Sequence, residues 1–459
     1  MGLLKYFLIT AVAAITLYCF FAEHPRSMEH IGKENKWYGP GKPKNDSETI
    51  ENFRINFPEK LLEDLLARLK SSRVSHTPLE DANDFSYGFN AAYLNELRDY
   101  WIEEYDWRKE EKFLNTFNHF KTEIEGLMIH FIREKVSIDR LHLYDKVVPL
   151  LMVHGWPGNI YEFHKIISFL TDPKKYGIKS EFAFEVVIPS IPGYGWSDSP
   201  QKKGFSQVEC ARVFYKLMDK LGFKKFYLQG GDWGSVVTSN LARMYPDSIF
   251  GLHLNMVSVF PGTTVKSTIF EICASLWPKL MLSSTNLHNH NFISKFLSLI
   301  AESGYMHIQA TKPDTIGTAL NDSPIGLAAY ILEKFSTWTN QDFMSMSDGG
   351  LTKKFKKEEL ITIIMIYWIN GNIVNSQRFY KEYFSDARNV ELAKVFLNVP
   401  TGHSSGLNEL FDRTPVELSR MFMNITFYNE IPDMGHFACL EKPREIAEDI
   451  FAFVETIPV

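Results

Sequence analysis

The residues of this chain best placed to do chemistry lie in Gln229-Gly-Gly-Asp-Trp-Gly-Ser235. Gly230 and Gly234 flank Asp232 at the spacing small-x-nucleophile-x-small, the frame of a sharp strand-to-helix turn. Serine usually stands at the centre of that turn; here it is a carboxylate. The apolar run "KFYLQ" precedes the turn and the helix-forming "SVVTSNLARMY" follows it, which is the context the frame requires. Asp232 is therefore the candidate nucleophile. The bland alternative, a glycine-rich turn with no catalytic meaning, suits an isolated G-x-D-x-G better than one set between a strand and a helix.

A nucleophile of this kind needs a base, an acid to orient the base, and donors for a developing oxyanion. His154–Gly158, "HGWPG", follows the first strong apolar run of the α/β part. Its Gly and Pro allow close backbone approach to a ligand. The N–H of Trp156 is expected to pair with that of Trp233 as an oxyanion hole, while His154 reads as a packing residue. The order nucleophile, acid, histidine places the base late in the chain. His436, in "PDMGHFACLEKP", follows the last expected strand and precedes the last helix. His403 is its nearest rival, expected in the loop that should carry the acid. Glu409 and Asp412 both follow the penultimate strand and spacing does not separate them; Glu417 ranks third. Gly402–Gly406 also matches G-x-S-x-G, but Ser404 is set aside. No helix follows directly before Pro415, and only one further strand remains.

The elements that must hold these residues follow from periodicity. "HFKTEIEGLMIHFIRE" alternates around Gly126 as a strand pair. Short apolar runs then end in Gly- or Pro-rich turns: "VVPLLMVHGWPG", "FEVVIPSIPGYGWSD", "KFYLQGGDWGS" and "IFGLHLNM". Non-alternating strands separated by helices predict an α/β fold with a mostly parallel central sheet, its chemistry at the carboxyl ends of strands. Leu61, Leu62, Leu65, Leu66 and Leu69 give a helical stripe after Pro58, and a second amphipathic stretch runs from Ala91 to Phe117. Residues 49–145 are thus expected to form an N-terminal, largely helical extension. Residues 146–258 form the first part of the core and 259–390 a helical lid insertion. Residues 391–459 complete the core with "AKVFLNVP", "ITFYNEIP" and a last helix at Pro443.

The 459 residues exceed one small core, and a net charge of −6 without a basic patch excludes nucleic acid as a partner. Four cysteines, none in C-x-x-C spacing, indicate a reducing compartment and no zinc site. Tyr6–Ala22 carries no charge. As a helix it spans roughly 26 Å, and Leu3 and Leu4 extend it toward a ~30 Å hydrocarbon core. Phe20 stands where a signal-peptidase site wants a small residue, so residues 1–22 are expected to be a retained anchor and the polar 23–48 a linker. Arg26, Lys33, Lys36 and Lys42 follow the anchor and only Lys5 precedes it, which places the body on the cytosolic side. The sequons at Asn45, Asn321 and Asn424 would then stay unused.

"HGWPG", "PSIPGYGWSD", "QGGDWGS", "SGYMHIQATKPDTIGTALNDSPIGLAAYILEKFSTW", "SQRFYKE" and "GHFACLEKP" together resemble the microsomal epoxide hydrolases, which include the insect juvenile hormone epoxide hydrolases. The resemblance runs from the anchor through the final helix. It implies an α/β-hydrolase fold, Asp232 as nucleophile, His436 as base and Glu409 as the orienting acid. Tyr305 of "SGYMHIQ" and Tyr380 of "SQRFYKE" become proton donors to the epoxide oxygen, an assignment that only the resemblance supplies. It also implies a single-pass endoplasmic reticulum (microsomal) anchor in the lipid bilayer, a cytosolic catalytic body and an apolar epoxide as substrate. No metal or organic cofactor is required. A serine that opened an epoxide would be left as an ether that water does not readily cleave. A carboxylate is left as an ester whose carbonyl water can attack. Two other readings share parts of the pattern. A haloalkane dehalogenase also uses an elbow Asp-Trp, and a lipid-binding protein on a dead hydrolase scaffold would lack the nucleophile or base present here.

Overall fold

The computed structural model describes residues 31–74, 79–257, 259, 263–410 and 414–457. The expected anchor at 1–22, the first part of the linker and Asp412 lie outside these residues.

Nine strands form one sheet: β1 (Ile50–Phe53), β2 (His119–Ile124), β3 (Leu127–Glu134), β4 (Lys146–Val153), β5 (Phe182–Pro189), β6 (Phe226–Gly230), β7 (Ile249–Leu254), β8 (Leu397–Gly406) and β9 (Met423–Ile431), in the order β1-β2-β3-β5-β4-β6-β7-β8-β9. From β5 to β9 every neighbouring pair is parallel. β1–β3 add an antiparallel flank against β5. The β2–β3 hairpin turns on Glu125 and Gly126, both at positive φ (52° and 79°), the turn geometry that matches strand twist. Arg212 holds Glu125 there with paired bonds of 2.7 and 2.8 Å. β6 is buried along its whole length because helices cover both faces of the sheet, which is why its sequence does not alternate.

Between β7 and β8 the described residues are helical, including Val265–Leu276, Phe292–Glu302, Gly304–Thr311, Pro324–Thr337, Lys357–Asn370 and Ile373–Ser385. No helix among the described residues is long and apolar enough to cross a membrane.

Three local expectations differ from the structure. β1 was not anticipated; it is an exposed edge strand too short to show a pattern. The helix Glu59–Lys70 buries Leu65 and Leu69 but leaves Leu61 and Leu66 exposed, so its contact stripe is narrower than its leucine content. β8 continues past its apolar start through Gly406, so His403 is a strand residue rather than part of a loop. Its polar side chains are tolerated because they find buried partners. Ser404 Oγ donates to Asp449 Oδ2 at 2.5 Å and lies 2.9 Å from His253 Nε2.

Candidate active site

β6 ends at Gly230 and the helix Trp233–Met244 begins immediately after Asp232. Asp232 takes φ 47° and ψ −128°, a conformation that strains any residue with a Cβ. The surroundings impose it. A Cβ at Gly230 would meet the Gly234 carbonyl oxygen at 2.4 Å, and one at Gly234 would meet the Val153 carbonyl oxygen at 1.9 Å. Both frame positions must therefore be glycine for the helix to pack this close to β4. The Ser235 amide and hydroxyl donate to the Asp232 carbonyl at 3.0 and 2.7 Å, fixing the turn. The helix N-terminus favours negative charge at this point.

The loop after β4 supplies a donor. The Trp156 N–H donates to Asp232 Oδ1 at 2.7 Å. His154 locks that loop: Nδ1 lies 3.0 Å from the Gly155 carbonyl and Nε2 accepts from the Ile191 amide at 3.1 Å. Burial pushes its pKa down to about 4, so it stays neutral, as a packing residue should. Trp233 heads its helix, so its N–H has no intrahelical acceptor.

His436 Nε2 stands 3.6 Å from Asp232 Oδ2, and its Nδ1 lies 2.8 Å from Glu409 Oε2. Both His436 and Glu409 are buried. Burial alone would keep the imidazole neutral, but the carboxylates of Glu409 and Asp232 outweigh it and raise the pKa well above the usual value. The His436 amide donates to the Trp338 carbonyl at 3.0 Å. Glu441 accepts from the amides on either side, Gly435 at 2.9 Å and Phe437 at 3.0 Å. The base is thus held by main chain as well as by its acid.

Tyr305, on the helix Gly304–Thr311, and Tyr380, on Ile373–Ser385, come together over the elbow with ring centroids 5.8 Å apart. Tyr305 stacks on Trp156 at 5.1 Å, and Tyr380 packs edge-on against Trp233 at 4.6 Å. Burial raises both phenols well above their usual value, and the Asp232 charge adds to the effect. Each phenol also interacts with the other's hydroxyl. Two cavities meet at Asp232. One of about 260 Å³ is largely apolar and includes Tyr305, Tyr380, Val236, Phe296 and Ile300 in its wall. The other, of about 20 Å³, lies on the His436 side and is bounded by Glu162, Asn255 and Cys439.

Residues 50–163 match the family described as epoxide hydrolase N terminus, and residues 148–443 match the alpha/beta hydrolase fold family. Epoxide hydrolase 1 of Sus scrofa is 45% identical over 97% of this chain and 98% of its own. This chain belongs to the epoxide hydrolase family. Juvenile hormone epoxide hydrolase 1 of Ctenocephalides felis is 43% identical, with 91% of this chain and 88% of that protein covered. Among solved structures, the juvenile hormone epoxide hydrolase of Bombyx mori superposes with a TM-score of 0.85 at 39% identity, covering 92% of this chain and 98% of that one. The Aspergillus niger epoxide hydrolase gives 0.70 at 27% identity, covering 93% and 100%. The fold is thus the α/β-hydrolase fold that the motifs implied.

In this epoxide hydrolase the tertiary structure brings Asp232, His436, Glu409, Tyr305, Tyr380 and the Trp156 amide to one place. Of the rival acids, Glu417 instead accepts from the Ser283 amide at 2.8 Å. Ser404 is enclosed in β8, away from the elbow. Sequence reasoning missed Glu441 and Glu162. Glu441 sits inside the quoted "GHFACLEKP", where its spacing from His436 offered a weak signal; Glu162, four residues after "HGWPG", offered none.

Proposed function

We propose that this chain hydrolyses apolar epoxides to vicinal diols in two chemical steps. In the first, Asp232 Oδ2, the oxygen not held by Trp156, attacks an epoxide carbon. The ring C–O bond breaks and the departing oxygen takes a proton from Tyr305 or Tyr380. A phenol holds its proton at neutral pH yet can yield it to an alkoxide. In the second, His436 takes a proton from water as the water oxygen adds to the ester carbonyl carbon. The Trp156 and Trp233 amides receive the charge on Oδ1. Glu409 orients the imidazole and balances its positive form. Collapse expels the diol oxygen, which takes the proton from His436. The second water proton, left on the new Asp232 carboxyl, returns to the tyrosine phenolate formed in the first step, and the Asp232 carboxylate is restored.

The observation that carries this reading is the position of Asp232 between a chamber holding two buried tyrosines and the His436–Glu409 pair. The test is one turnover in oxygen-18 water. The label is expected first in the Asp232 carboxylate rather than in the diol, and Asp232→Asn is expected to form no ester. Label entering the diol directly would overturn the reading. Chloride release from a chloroalkane, in place of diol from an epoxide, would favour a dehalogenase.

Residues 1–22 are proposed to anchor the chain in the endoplasmic reticulum membrane, body facing the cytosol. The uncharged Tyr6–Ala22 and the basic residues after it support this. So does the exposure of Ile272, Leu276, Trp277, Leu280, Ile293 and Phe296 among the helices between β7 and β8, Phe296 also lining the large chamber, a surface suited to apolar substrate arriving from lipid. Carbonate-resistant retention of the full chain in microsomes, protease sensitivity from the cytosolic side and unglycosylated Asn45, Asn321 and Asn424 are expected. A glycan on any of these would place the body in the lumen instead.

A further inference from the structure

The smaller cavity has room for one molecule of water. A buried water needs roughly 10–15 Å³ of such space and two to four polar partners, and this cavity offers about 20 Å³ beside Asp232 and His436. It ends on Glu162, whose side chain forms no hydrogen bond with any other described residue. Glu162 keeps some accessible surface and lines this cavity. We propose that Glu162 holds the hydrolytic water in this cavity, across from His436, aimed at the ester carbon of Asp232.

The loop is built to admit that carboxyl. A Cβ on Gly158 would lie 1.2 Å from Glu162 Oε1, so the last glycine of "HGWPG" leaves the space that the acid fills. Glu162 belongs to a 3-10 turn, Ile160–Phe163, which Asn159 caps by accepting from the Tyr161 amide at 3.0 Å. The Tyr367 hydroxyl pins the same loop by donating to the Gly158 carbonyl at 2.8 Å. Phe437, Ala438 and Cys439 close the far side. The chemistry suits the position. Burial pushes the Glu162 carboxyl up to about 8, with His436 pulling it down and Asp232 pushing it further up. Its protonated form, which burial favours, can both donate to and accept from water. It orients the water without adding a second negative charge beside the ester. His436 takes the proton; Glu162 is a positioning residue that touches the attacking water.

This inference rests on the two-step reading, and step-resolved kinetics separate the two. The probe is styrene oxide, mixed with excess full-length enzyme and quenched in time, with ester on Asp232 followed by mass. In Glu162→Ala, ester formation is expected to stay within about twofold of wild type, while ester decay slows roughly tenfold or more and the ester accumulates. Glu162→Gln, which keeps a donor and an acceptor, is expected to recover most of the decay rate. Gly158→Ala should reproduce the slow decay by displacing the carboxyl, and combining it with Glu162→Ala should add nothing. Unchanged decay in Glu162→Ala or Gly158→Ala, or equal slowing of both steps, overturns the role of Glu162. If Glu162→Ala fails to fold, Gly158→Ala carries the same readout. Wild type that shows no ester at all brings down the two-step reading, and this inference with it.

Discussion

The two sides of Asp232 are built on different principles. The lid side is a chamber of about 260 Å³ walled mostly by apolar side chains, with two phenols above Asp232 and Glu271, Lys295 and Ser303 also in its wall. The core side is a pocket of about 20 Å³ bounded by His436, Glu162, Asn255 and Cys439. The first has room for an organic molecule and supplies a proton. The second has room for one water and removes a proton. A single carboxylate can serve both only because the elbow projects it from the sheet edge into the gap between lid and core. The contrast also shows why bulk water is not needed. An enclosed water meets fixed charges that solvent does not screen.

Breaking one side should leave the other working. His436→Gln is expected to cut steady-state diol formation by about 10⁴-fold while ester still forms in the first turnover; trapped ester, read by mass, checks this. Tyr305→Phe with Tyr380→Phe should do the reverse. Ester formation itself is expected to fall by about 10²- to 10⁴-fold, the usual worth of a general acid, with the far-ultraviolet spectrum unchanged.

A smaller effect sharpens the difference in polarity. The Glu162 carboxyl is raised from 4.5 to about 8 in the fold, so the stability it contributes is full below 4.5 and is lost as pH rises through about 8. Glu162→Gln has no such loss. Its melting temperature should therefore gain on wild type progressively between those limits, measurable by calorimetry across pH. Ser404→Ala lies on neither side and is the control. Removing one donor to the buried Asp449, which keeps its bonds from Asn429, should cost about 1 kcal/mol of stability and leave the ester kinetics alone.

The strands that carry the site were legible because buried parallel strands read as unbroken apolar runs, and "KFYLQ" and "VVPLLMV" are such runs. β1 was not legible, since four exposed residues hold too little pattern. The C-terminal half of β8 was hidden for the opposite reason: Thr401 to Ser405 are polar, and their burial depends on partners such as Asp449, which lies far along the chain. The same limit governs the acid of the site. Glu409 and Asp412 share a loop and a charge, and spacing alone could not choose between them. In the fold, Glu409 is the carboxylate hydrogen-bonded to His436.

The sequence by itself determined the turn chemistry: a carboxylate centred between two glycines, after a strand and before a helix. These are local matters of backbone sterics and short-range periodicity. The tertiary structure decided which side chains meet that carboxylate. Tyr305, Tyr380, Glu409 and His436 come from separate elements, and Glu162 becomes significant only where Gly158 leaves it room. Contacts between residues distant in the chain depend on how whole layers pack, and no local pattern encodes them.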